Sequence, residues 1–160
     1  MIKLLLLCAN LIIPNKDTLP SQLPLLHPIR KADFKYISSK YGWRVDPITK
    51  DSTFHDGIDI ATITKEAAVY ATADGIVEKL DYDRKRGLFI IINHAFGFQT
   101  LYYHLANFFI REGQKVEAGE KIGLVGNTGK STAAHLHYEV LFEGLAIDPL
   151  DLQLLKINNF

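Results

Sequence analysis

The stretch Leu88-Phe89-Ile90-Ile91-Ile92-Asn93 is followed, across Ala95-Phe96-Gly97, by Phe98-Gln99-Thr100-Leu101-Tyr102-Tyr103-His104. β-Branched and aromatic residues dominate both halves, and Arg84-Lys85-Arg86-Gly87 supplies a turn before the first. Apolar runs of this length bounded by Gly-bearing turns read as paired antiparallel strands. Outward from this hairpin the same signal recurs at Glu66 to Ala71, Gly75 to Tyr82, Lys121 to Val125 and Leu136 to Phe142. No long amphipathic helical pattern follows residue 60. The expected fold is therefore mainly β, an antiparallel sheet or sandwich. A short N-terminal helix is expected over Lys31 to Lys40, and Lys50 to Thr53 reads as a polar loop.

The chain of 160 residues is 48% hydrophobic and 22% charged, enough for one domain with a core. Its net charge is zero, which argues against a nucleic-acid partner. Cys8 is the single cysteine, so no intrachain disulfide can form. Met1-Ile2-Lys3 and the apolar run Leu4 to Ile13 have the size of a secretory leader and are too short for a stable membrane span. Four of the six prolines lie between residues 14 and 30, which reads as an extended linker. The expected division is a leader and linker over 1–30, a domain over 31–150 and a tail over 151–160.

Histidines carry the chemistry. In the strand Leu136 to Phe142, His137 shares a face with His135 just before it, because side chains alternate along a strand. In Phe54-His55-Asp56-Gly57-Ile58-Asp59-Ile60, the ligand types His55 and Asp59 share a face while Ile58 and Ile60 turn to the core. Gly57 between them lets backbone pass close by. His104 ends the hairpin strand. His55, Asp59 and one of the pair His135/His137 form a possible catalytic zinc set, three protein ligands with one position left open. Two histidines then remain for acid–base work.

The order of these motifs resembles the lysostaphin-like zinc metalloendopeptidases that cut peptidoglycan peptides. The resemblance runs from about Ile37 to Pro149. It rests on Ser39-Lys40-Tyr41-Gly42-Trp43-Arg44-Val45-Asp46-Pro47, His55-x-x-x-Asp59, Tyr102-Tyr103-His104-Leu105, Gly113-Gln114-Lys115-Val116, Gly126-Asn127-Thr128-Gly129-Lys130-Ser131-Thr132 and His135-x-His137. It implies one zinc ion held by His55, Asp59 and His137, with His135 and His104 as catalytic residues beside the open position. His135 would be the general base and His104 would stand near the developing oxyanion. It further implies peptidoglycan peptides as the partner and action outside the cytoplasm; an antiparallel sheet walled by loops suits an extended peptide in a groove, and a monomer is the expected state. Ala133-Ala134 and Tyr138 depart from the usual family residues without touching this chemistry.

Arg44 could bond substrate or form a structural salt bridge. Tyr102, two residues before His104, could contact substrate or pack in the core. Two other readings compete. A non-catalytic envelope-binding module of the same fold would be expected to have lost ligands, and this chain keeps all of them. A carrier domain for biotin or lipoate would explain Gly75-Ile76-Val77-Glu78-Lys79 but none of the histidines.

Overall fold

The structure, a computed structural model, describes residues 19–46 and 49–152. The leader therefore lies outside the described residues. A four-residue helix, α1 (Leu19–Gln22), precedes strands β1 (Phe34–Ser39), β2 (Gly42–Val45), β3 (Ser52–His55), β4 (Ile58–Thr62), β5 (Ala68–Tyr70) and β6 (Gly75–Asp83). β7 (Gly87–His94) and β8 (Phe98–Phe108) are joined by the 3-10 turn Ala95–Gly97. β9 (Lys115–Val116), β10 (Lys121–Val125), β11 (Leu136–Phe142) and β12 (Leu145–Ile147) complete the set.

The strands pair antiparallel in the order β1-β4-β11-β8-β7-β6-β9. β10 joins β5 to the far half of β8, and β12 pairs with β11. β2 and β3 form a separate two-stranded sheet. The last long strand, β11, thus lies between β4 and β8, which do not pair with each other. Its His137 stands opposite Asp59 of β4 on one side and Tyr103 of β8 on the other.

One face of the sheet carries the main core. Ile58, Ile60, Ile90, Ile92, Tyr102, Leu105, Ile122, Leu136, Tyr138 and Val140 are buried there. Burial of such side chains contributes roughly 1.5–3 kcal/mol each, which is what holds the alternation in register. A smaller cluster of Phe89, Leu101 and Tyr103 lies apart from it. Hydroxyls inside the main core satisfy one another. The phenol oxygen of Tyr102 accepts from the Thr72 amide at 3.2 Å and bonds Thr72 Oγ1 at 3.2 Å, while Tyr138 reaches Thr72 Oγ1 at 2.9 Å.

Three expectations are corrected. The segment 31–40 is not helical: Phe34–Ser39 is a strand, because β4 needs an edge partner and Phe34, Tyr36 and Ile37 favour an extended chain. Ser52 and Thr53 belong to β3, paired with Val45 and Arg44. Residues 19–30 do not stand off as a linker. Leu23, Leu25 and Ile29 are buried in the core, and Pro28 accepts the Tyr70 amide. Leu152 is buried against the same core.

Candidate metal centre

Three strands bring three donors together. His55 ends β3, Asp59 lies in β4 and His137 in β11. Gly57 is what lets β11 approach the β3–β4 junction. A Cβ at that position would meet the Tyr138 carbonyl oxygen at 2.3 Å and Glu139 Cγ at 2.8 Å. His55 Nε2, His137 Nδ1 and Asp59 Oδ1 form a triangle with edges of 3.0, 2.8 and 3.1 Å. A tetrahedral zinc with donors at about 2.0–2.1 Å holds them roughly 3.3 Å apart, so a small adjustment admits one ion. Two imidazole nitrogens and a carboxylate oxygen are also the donor chemistry such an ion takes.

Each imidazole is anchored by its other nitrogen. His55 Nδ1 donates to the Lys40 carbonyl at 2.8 Å, and His137 Nε2 faces Glu139 Oε1 at 2.8 Å. His104 Nδ1 donates to the Thr128 carbonyl at 2.8 Å, and His135 Nδ1 to the Ala133 carbonyl at 2.8 Å. Ser131 Oγ lies 3.1 Å from the same His135 nitrogen. These bonds fix which ring nitrogen each histidine turns to the cluster: Nε2 of His55, His104 and His135, and Nδ1 of His137. The His104 and His135 rings lie 4.8 Å apart between centroids, and His135 Nε2 is 3.6 Å from Asp59 Oδ1. All five groups therefore share one small volume.

The electrostatics are those of a metal-free cluster. Burial alone would raise the Asp59 carboxyl, but hydrogen bonds from His137 and His55 hold it well below the usual carboxylate range. Burial disfavours a charged His137, yet bonds to Asp59 and Glu139 outweigh this and raise it to about 9. His104 is lowered to about 4, chiefly by burial, so it is neutral near pH 7.

Arg44 stands on the inward side of β2, while Trp43 and Val45 point out. Its Nη2 is 3.6 Å from Asp59 Oδ2, and its buried Nε has no acceptor. Tyr102 does not contact the site. It is fully buried on the opposite face, and the residue that faces the histidines is Tyr103. The reason is local: His104 has φ 62°, a left-handed conformation that breaks the strand alternation. At that point β8 leaves β11 for β10. Tyr103 stacks on His137 at 5.1 Å and 6°, and its hydroxyl donates to Glu139 Oε2 at 3.3 Å. Glu139 was legible as the residue two beyond His137 on one strand face; Tyr103 was not, because nothing in the sequence marks the break.

An open groove of about 580 Å³ contains these groups. Arg44, Phe54, Lys85, Arg86, Lys130 and Thr132 also line it. Lys130 Nζ reaches Asp46 Oδ2 at 3.4 Å, which ties the loop before His135 to the chain leaving β2. Among the described residues no helix is long and apolar enough to cross a membrane.

The sequence pattern of peptidase family M23 matches residues 53–149. The chain is 42% identical over 118 residues to the DD-carboxypeptidase/endopeptidase Mpg of Neisseria meningitidis serogroup B, covering 74% of this chain and 27% of that protein. A zinc-containing peptidase from Vibrio cholerae superposes with a TM-score of 0.72 at 36% identity, covering 78% of this chain and 38% of that one. The catalytic domain of lysostaphin from Staphylococcus simulans gives 0.66 at 27% identity, over 75% of this chain and 92% of that domain. The chain spans about a quarter of the length of the curated relatives it matches, 23% and 27% for the first two.

Proposed function

Because the chain belongs to peptidase family M23, we propose that it is a zinc-dependent endopeptidase that hydrolyses peptide bonds of bacterial peptidoglycan outside the cytoplasm, as a monomer. The observation that carries this reading is the convergence of five groups from β3, β4, β8, β11 and the loop before β11 on one groove. His55, Asp59 and His137 would hold the ion. When bound, zinc supplies a Lewis acid that polarises a carbonyl and brings the pKa of coordinated water to about 7.

The chain's own residues supply the rest. An extended substrate lies along the groove, which Arg44 lines. His135, its Nδ1–H held by Ala133, accepts the proton of the attacking water at Nε2 and returns it to the leaving amine. In the assignment the resemblance implies, His104 takes a proton from solvent at Nε2 before the reaction and steadies the oxyanion on the same side, a state that burial disfavours. One observation favours the exchanged split: His104 is held neutral, so its free nitrogen begins as an acceptor.

Digestion of defined muropeptides, followed by mass analysis of the fragments, tests the function and identifies the bond. His135→Ala should keep zinc and lose at least a hundredfold in turnover. The variant that lacks the base should show residual activity first order in hydroxide, which separates His135 from His104 in that role. A refolded protein that takes up no stoichiometric zinc would instead favour a non-catalytic envelope-binding module.

A further inference from the structure

We propose that Glu139 and Tyr103 are positioning residues that set the tautomer and orientation of His137 for metal uptake. This inference rests on the zinc reading above. His137 is the only one of the three donors that presents Nδ1 to the cluster. A histidine ring can turn about χ2 and offer either nitrogen, so something must fix the choice. Three contacts do so. Glu139 Oε1 accepts from Nε2 at 2.8 Å, because residues two apart on β11 share a face. Tyr103, directly opposite His137 on β8, stacks flat on the ring. Its hydroxyl then donates to the second Glu139 oxygen at 3.3 Å, closing the loop of contacts.

The carboxylate is fixed in turn. The Glu139 Cγ lies against Gly57, where a side chain would displace it. Arg86 flanks Tyr103 from the far side, its guanidinium 5.8 Å from the Tyr103 ring and 4.0 Å from that of Phe89. A carboxylate bonded to the outer nitrogen of a metal-binding histidine raises the basicity of the inner one and typically adds tenfold to a hundredfold in metal affinity. Glu139 touches no reacting atom in this arrangement.

The test is zinc affinity by chelator competition, with the melting temperature of the metal-free protein measured alongside. Glu139→Met, close in volume but without an acceptor, should bind zinc ten- to a hundredfold more weakly. Glu139→Gln keeps an acceptor oxygen and should recover most of that loss. Tyr103→Phe keeps the stack and should lose only a few-fold. Glu139→Met binding within threefold of the parent would overturn the proposal. Should that variant fail to fold, nitrogen-15 NMR of the zinc-loaded parent decides: a proton on His137 Nε2 supports it, and a proton on Nδ1 refutes it. A parent that binds no zinc would instead remove the functional reading beneath it.

Discussion

His137 Nδ1 and Asp59 Oδ1 stand 2.8 Å apart across 78 residues of sequence. In the metal-free protein that contact carries a proton, since His137 is raised to about 9 by Asp59 and Glu139. Zinc must displace it. Affinity should therefore rise about tenfold per pH unit between pH 7 and 8.5 and flatten above 9, read by competition with a chelator. The sign for stability follows from the same shift. A raised histidine stabilises the fold fully below its unfolded value of about 6.5 and loses that contribution as pH rises through 9. Asp59, held low, contributes above the ordinary carboxylate range and loses it in acid. The metal-free melting temperature should peak between about pH 4.5 and 6.5 and decline toward pH 9.5.

His104 combines a working imidazole with a left-handed backbone at φ 62°. A side chain with Cβ costs about 1–2 kcal/mol in that conformation, and glycine does not. His104→Gly should consequently be more stable than His104→Ala by about 1 kcal/mol, the reverse of their order within an ordinary strand. Both should retain the zinc of the parent and lose turnover. Thermal unfolding of the pair reads the difference directly.

Tyr102→Phe tests whether this residue belongs to the core. Its hydroxyl is the acceptor for the buried Thr72 amide. Removing it should cost about 1–3 kcal/mol in urea unfolding, the price of a buried donor left alone, with KM for a muropeptide unchanged. A raised KM with unchanged stability would return Tyr102 to the substrate.

Gly57→Ala puts a methyl 2.3 Å from the Tyr138 carbonyl, a backbone atom that cannot step aside cheaply. A loss of about 3 kcal/mol is expected. Zinc affinity should fall with it, since β11 and β4 must separate. Calorimetry with and without zinc measures both effects.

Much of this was readable in the chain. β10 and β11 fall on the stretches Lys121 to Val125 and Leu136 to Phe142 where the strand signal recurs, and the β7–β8 hairpin was marked by its turn. His55 and Asp59 flank a glycine whose absence of a side chain could be anticipated, though not what it would avoid. Two of the misread parts share a cause: contacts distant in sequence decided them. Phe34–Ser39 became a strand because β4 offered an edge. Leu23, Leu25 and Ile29 looked like spacer residues among prolines, yet they close the core. Tyr103 rather than Tyr102 faces the site because one dihedral at His104 inverted the alternation.

Consider finally the place of β11, wedged between two strands that do not touch each other. Both flanking strands, β4 and β8, precede it in the chain, and β11 supplies the hydrogen-bonded link between them. The full donor set of His55, Asp59 and His137 therefore exists only with that strand in place. Closing the sheet and assembling the donor triangle are thus one geometric act.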